Sequence, residues 1–182
     1  MTNNEQNAKN GQGFIEQIKQ KINTIMTKNE QNAKNGQGFI EQLMQKITEQ
    51  SSDEASAKRA HELAMEIVVS HGKVNLDAED VKSIVDAPGN FAAFDVVIGD
   101  DCVNRGDELV SQIAAQTAGF GKINNFLFYF FYSNKHELRK DDIDPFSKWI
   151  SANHSDCDII WGTTEVDQAP YSLRTVVLLS HD

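Results

Sequence analysis

Asn75, Asp77 and Asp80 stand close together in the run Gly72-Lys-Val-Asn-Leu-Asp-Ala-Glu-Asp-Val81. Two carboxylates and an amide at this spacing can orient a water molecule for attack on a phosphorus. Holding the triphosphate itself takes backbone N–H groups, a helix N-terminus or a lysine. The sequence offers no glycine-rich loop for that purpose. Gly11-Gln-Gly13, its repeat Gly36-Gln-Gly38 and Gly119-Phe-Gly121-Lys122 are the glycine clusters, and they read as two turns and a bend before a strand. If this run does chemistry, another chain is expected to supply the nucleotide.

The elements around the run are well signalled. A helix starts near Ser52, carries Ala57, Ala60, Leu63, Ala64, Ile67 and Val68 at helical spacing, and stops at Gly72. Asp77 then has the position of an N-cap, with Asp80 near N3 and Val81, Ile84 and Val85 on the buried side of a second helix that ends at Pro88-Gly89. Acidic residues at a helix start are favoured by capping and by the helix dipole without any catalysis. On spacing alone, capping is therefore the stronger reading of Asp77 and Asp80. Beyond them the pattern predicts a strand at 91–98, a helix at 104–118 and a strand at 126–132. The last of these is apolar at every position, as in a strand buried on both faces or central in a sheet. A helix at 144–153 with Pro145 near its start and strands at 158–164 and 173–179 complete the chain. This order predicts an α+β fold, a two-layer sandwich of a four-stranded mixed sheet with helices on one face.

The chain has 182 residues, 40% of them hydrophobic and 24% charged, enough for one core and too few for two. Its net charge of −10 is uneven: residues 1–50 carry six Lys against five Glu, which leaves 51–182 strongly acidic. Such a body repels nucleic acid and anionic membrane. Cys102 and Cys157 lie in unrelated segments without metal-ligand spacing, and no secretory leader is apparent, so a reducing cytoplasm is the expected setting. No apolar run approaches the roughly 18 residues that span a bilayer.

Residues 1–25 recur as 26–50, with differences only at the positions of Asn3, Ile18, Lys19, Asn23, Thr24 and Ile25. Each copy ends in a short amphipathic pattern: Phe14, Ile15, Ile18 and Ile22 in the first, Phe39, Ile40, Leu43, Met44 and Ile47 in the second. Helices this short need a surface to bury their stripe, on the body, on a partner or on a membrane. The mixed charge of the polar face favours a helix folded back on the body, or a loosely ordered tail, since membrane-binding helices are richer in Lys and Arg. The expected organisation is a helical N-terminal appendage at 1–50, a connecting helix at 51–72 and a domain at 73–182.

Elsewhere the chemistry is thin. The five histidines are scattered, and no metal site is read from them. Asp141-Asp142-Ile-Asp144 lacks the glycine and glutamate of a Ca²⁺ loop and reads as a solvated helix start. Trp149 and Trp161 read as core or sheet-face aromatics.

From Ser52 onward the chain resembles the central helix and C-terminal domain of FtsZ, the bacterial relative of tubulin. The family's synergy loop has the pattern G-x-x-N-x-D-x-x-D-V, met here by Gly72, Asn75, Asp77, Asp80 and Val81. Its late signature, a strand I-I-x-G-T and then R-V-T-V-I-A-T, is matched by Ile159-Ile-Trp-Gly-Thr163 and Arg174-Thr-Val-Val-Leu-Leu-Ser180. Two features depart from it. Ser133-Asn-Lys-His-Glu-Leu138 stands where the family has a Gly-Gly turn, and the family's G-G-G-T-G-[ST]-G nucleotide loop has no counterpart.

The resemblance implies that Gly72, Asn75, Asp77 and Asp80 form a partner-binding face. It implies that Asp77 and Asp80 act catalytically only in trans, positioning a hydrolytic water in another subunit's GTP site. The implied partner is an FtsZ-type cytoskeletal GTPase of cell division or a separate GTP-binding half. No cofactor is expected in this chain, with GTP and Mg²⁺ entering only in an assembly. By itself the chain is expected to hydrolyse nothing. Two other readings stand beside this one: a fragment of a polymerising GTPase without independent function, and an α+β binding domain in which the two aspartates only cap.

Overall fold

The structure, a computed structural model, describes residues 33–182, with side chains from residue 38 onward. The first copy of the amphipathic repeat and its Gly11-Gln-Gly13 lie outside the described residues. The chain divides into two compact units, Met1–Gln42 and Leu43–Asp182. Among the described residues five helices and four strands follow one another: α1 (Ala33–Gln50), α2 (Glu54–Val69), α3 (Ala78–Val85), β1 (Asn90–Ile98), α4 (Arg105–Thr117), β2 (Ile123–Ser133), α5 (Lys140–Asn153), β3 (Asp158–Val166) and β4 (Leu173–His181). Among the described residues no helix is long and apolar enough to cross a membrane. Gly36-Gln-Gly38, expected to be a turn, lies inside α1. Glycine costs a helix about 1 kcal/mol per residue, which flanking helical turns can outweigh.

The strands form one mixed sheet in the order β1-β4-β2-β3. β4 runs antiparallel to both β1 and β2, and β3 runs parallel to β2 at the edge. Seven consecutive residues of β2, Phe126 to Tyr132, are buried. Because side chains alternate across a strand, this run packs against the helices on both faces of the one sheet. Leu127, Tyr129 and Phe131, with Val176 and Leu178 of β4, meet α2, α3 and residues 43–47 of α1. Phe126, Phe128, Phe130 and Tyr132, with Val177 and Leu179, meet α4 and α5. The α+β class and the four-stranded mixed sheet agree with the sequence reading, but the helices cover both faces and not one. The unalternating β2 demanded it: a strand apolar on both sides needs cover on both sides.

α5 also starts earlier than its apolar spacing indicated. It begins at Lys140 because the Asp142 carboxylate accepts a hydrogen bond from the Arg139 N–H at 2.7 Å, as an N3 acid does at a helix start. Pro145 thus sits inside the helix and not in its first residues.

On the α2 face, Arg174 of β4 binds Glu66 of α2 through two bonds of 2.6 and 2.9 Å and Asp95 of β1 at 2.8 Å. Arg59 of α2 reaches the same Asp95 at 2.5 Å. The network locks the connecting helix across two strands. Burial alone would raise the pKa of Asp95, but the hydrogen bonds and charges of Arg59 and Arg174 outweigh it and hold the carboxyl below its ordinary range.

Candidate functional site

The segment between α2 and α3 is fastened to the edge strand β3 residue by residue. α2 closes at Ser70, whose N–H reaches the Ile67 carbonyl at 3.1 Å and whose hydroxyl reaches Glu66 O at 2.6 Å. His71 O accepts from the Thr164 hydroxyl at 2.9 Å. At Gly72 the backbone passes so close to β3 that a Cβ would lie 1.8 Å from Thr163 O and 2.7 Å from Thr164 Cα, leaving room for glycine alone. Val74 pairs with Thr163, whose N–H donates to Val74 O at 3.0 Å. Leu76 then drops into the core over Gly162, where an added Cβ would come within 2.8 Å of the Leu76 side chain and 2.6 Å of the Tyr129 ring.

This anchoring presents the polar residues between the fastened ones. Asn75 is exposed, and its Oδ1 accepts from the Gly72 N–H at 2.6 Å, closing the turn. Exposed Asp77 caps α3: its Oδ1 accepts from the N–H groups of Glu79 at 2.9 Å and Asp80 at 3.1 Å. The half-buried Asp80 completes the box, its Oδ2 accepting from the Asp77 N–H at 2.9 Å. Capping and presentation are therefore both written into the geometry. The box engages one oxygen of each acid, and among the described residues no hydrogen bond reaches Asp77 Oδ2 or Asp80 Oδ1.

Gly72, Asn75, Asp77 and Asp80 thus come together on one rigid turn. Lys73, Tyr132 and Glu137 are additional members that spacing did not single out. Lys73 Nζ lies 5.7 Å over the Tyr132 ring and 3.7 Å from Glu137. Tyr132 chiefly, and Glu137 and Glu165 to a lesser degree, hold the Lys73 ammonium above the ordinary lysine range. The signal available was positional: Tyr132 ends the strand parallel to the one that the turn grips.

Behind Glu137 lies a buried ion pair. Arg105, at the start of α4, donates from Nε and Nη2 to the two oxygens of Asp142 at 2.6 Å each. Its remaining donors reach the carbonyls of His136 at 2.9 Å, Ser172 at 3.3 Å and Glu137. Asp142, expected on a solvated helix start, is buried by this pairing. The guanidinium fixes the β2–α5 loop from which Glu137 faces Lys73.

As a metal centre the turn is incomplete. Among the described residues no three His, Cys, Asp or Glu side chains converge. Mg²⁺ is held by one or two carboxylates together with phosphate oxygens and water, and the turn could supply the carboxylates alone.

No protein-family model and no curated protein matches the sequence. Among solved structures the chain is similar to TubZ of Bacillus thuringiensis serovar israelensis. The match to its GDP-form protofilaments has 14% identity and a TM-score of 0.52, over 76% of this chain and 41% of that one. The GTPγS-form protofilament matches at 10% identity and 0.50, over 77% and 39%. An empty FtsZ dimer of M. jannaschii matches at 19% identity and 0.48, over 68% and 36%. The fold is tubulin-like, and the chain spans about two fifths of the length of the structures it matches.

Proposed function

We propose that this chain is an assembly module for a tubulin-type cytoskeletal GTPase, presenting the turn Gly72–Asp80 to a GTP site that lies outside these 182 residues. One observation carries the reading. The capping box engages a single oxygen of Asp77 and of Asp80 on a turn pinned to β3, so the two other oxygens project from a fixed support. In such an interface Asp77 Oδ2 and Asp80 Oδ1 accept hydrogen bonds from one water and hold it in line with a phosphorus. Asn75, whose Oδ1 is committed to Gly72, retains its amide N–H donors for a phosphate oxygen. GTP with Mg²⁺, supplied by the partner, offsets the repulsion between these acids and the triphosphate. The implied setting is a cytoplasmic filament of the cell-division type.

The test is co-sedimentation with an FtsZ- or TubZ-type polymer, together with its GTP turnover, using the native chain and Asp77→Asn with Asp80→Asn. Asparagine caps a helix nearly as well as aspartate, so the pair removes charge and keeps the fold. The native chain is expected to co-sediment and to change turnover, and the substituted chain to lose the effect on turnover. A chain that neither binds polymer nor alters turnover sinks the proposal. The second reading, in which the acids only cap, has the box itself in its favour and predicts that the substituted chain acts like the native one.

A further inference from the structure

We propose that β1 pairs antiparallel with β1 of a second copy of this chain, joining two four-stranded sheets across a two-fold axis. β1 stands at one end of the sheet, and its nine residues keep an unbroken register with β4. In an antiparallel pair every second residue turns its N–H and C=O away from the partner strand. Among the described residues no hydrogen bond other than those to β4 reaches the backbone of residues 90–97. No lysine, proline or bulge interrupts this outer row. Beside it the Val97 side chain is 49% exposed.

The sequence of β1 suits a second β1. A two-fold axis normal to the sheet reverses the strand and keeps like faces together, so residues that face one another share a side of the sheet. Centred on Phe94, the axis engages all nine residues. Asn90 then opposes Ile98, Phe91 opposes Val97, Ala92 opposes Val96, Ala93 opposes Asp95, and Phe94 opposes itself. The exposed Val97 is covered by Phe91 of the second copy, and the two Phe94 rings make an aromatic cross-strand pair on the α4 face. Asp95, the single charge of the strand, is already paired with Arg59 and Arg174 and faces an alanine. Moving the axis to Asp95 would set two carboxylates directly opposite each other, a destabilising pair. Moving it to Ala93 would engage residues 90–96 alone and leave Val97 bare.

The test uses the full chain. Sedimentation equilibrium is expected to give twice the 20.3 kDa of one chain. Val97→Lys, at a position already exposed, should keep the native circular-dichroism spectrum and raise the dissociation constant about tenfold or more, since each dimer carries the change twice. A chain that stays monomeric up to its solubility limit overturns the proposal, whether the edge is open or taken by another segment of the same chain. An unchanged dissociation constant for folded Val97→Lys overturns it too. A thiol trap reads the register, and it decides alone should Val97→Lys not fold. With Cys102→Ser and Cys157→Ser, Phe94→Cys is expected to form an intermolecular disulfide under mild oxidation, because the axis brings the two Cα atoms to about 4.5–5.5 Å. Val97→Cys in the same background should not, its two copies lying about 20 Å apart along the strands. A dimer in which Phe94→Cys fails to link, or Val97→Cys links equally well, has another interface and refutes the pairing.

Discussion

Asp142→Asn is the sharpest probe of how the turn is supported. The substitution keeps side-chain volume and an acceptor, but turns an amide toward the Arg105 guanidinium, whose side chain is only 9% exposed. Two charge-assisted bonds of 2.6 Å are lost or inverted, and the guanidinium keeps its three carbonyl partners without a counter-charge. Breaking a buried pair by altering one member costs about 3–5 kcal/mol. In a chain of this size that lowers the thermal midpoint by about 6–20 °C. The assay is calorimetric or circular-dichroism unfolding of Asp142→Asn, Arg105→Met and the pair together. Because the double variant leaves no uncompensated charge, it should be less destabilised than the two single costs added. A single cost below about 1 kcal/mol, the scale of an exposed ion pair, would refute the claim that this pair holds the β2–α5 loop.

Gly72→Ala should destabilise by the upper part of the 1–3 kcal/mol range for overpacking, since the clash at 1.8 Å is with backbone and not with a movable side chain; chemical denaturation measures it. Tyr129→Phe should stabilise, by up to about 1–3 kcal/mol, because the buried Tyr129 hydroxyl has no hydrogen-bond partner among the described residues; an unchanged or lower midpoint would contradict the assignment. Asp95 has a folded-state pKa below its unfolded value of about 3.9. Its contribution to stability is therefore fully present above that value and is lost as pH falls through the lower, folded one. Urea midpoints measured from about pH 6 to pH 2 should show this acid limb, and Asp95→Asn should weaken it.

What could be read from the sequence was whatever depends on neighbours in the chain. Asp77 and Asp80, three residues apart, declared their capping box, and the unbroken aromatic run of β2 declared its burial. The same run predicts a strand buried on both faces or central in a sheet, but periodicity does not say to which side of a sheet a helix crosses, and the helices expected on one face cover both. Arg105 and Asp142 lie 37 residues apart in segments that each resemble an ordinary solvated helix start. Only the fold makes them a pair. Gly72 matched a pattern by its spacing, but its physical reason, the backbone of β3 at van der Waals range, lies some ninety residues further along the chain.

The grip of the turn on β3 has one more consequence. An edge strand offers unpaired backbone groups to any other sheet, and proteins blunt such edges to avoid adding strands indefinitely. Here the Thr163 N–H is already taken by Val74 O, and Gly72 sits flush against Thr163 and Thr164. The segment that displays the two aspartates therefore also acts as a stopper on the open side of the sheet. Loosening it would unsettle more than the acids: it would bare a strand edge and invite sheet-to-sheet aggregation.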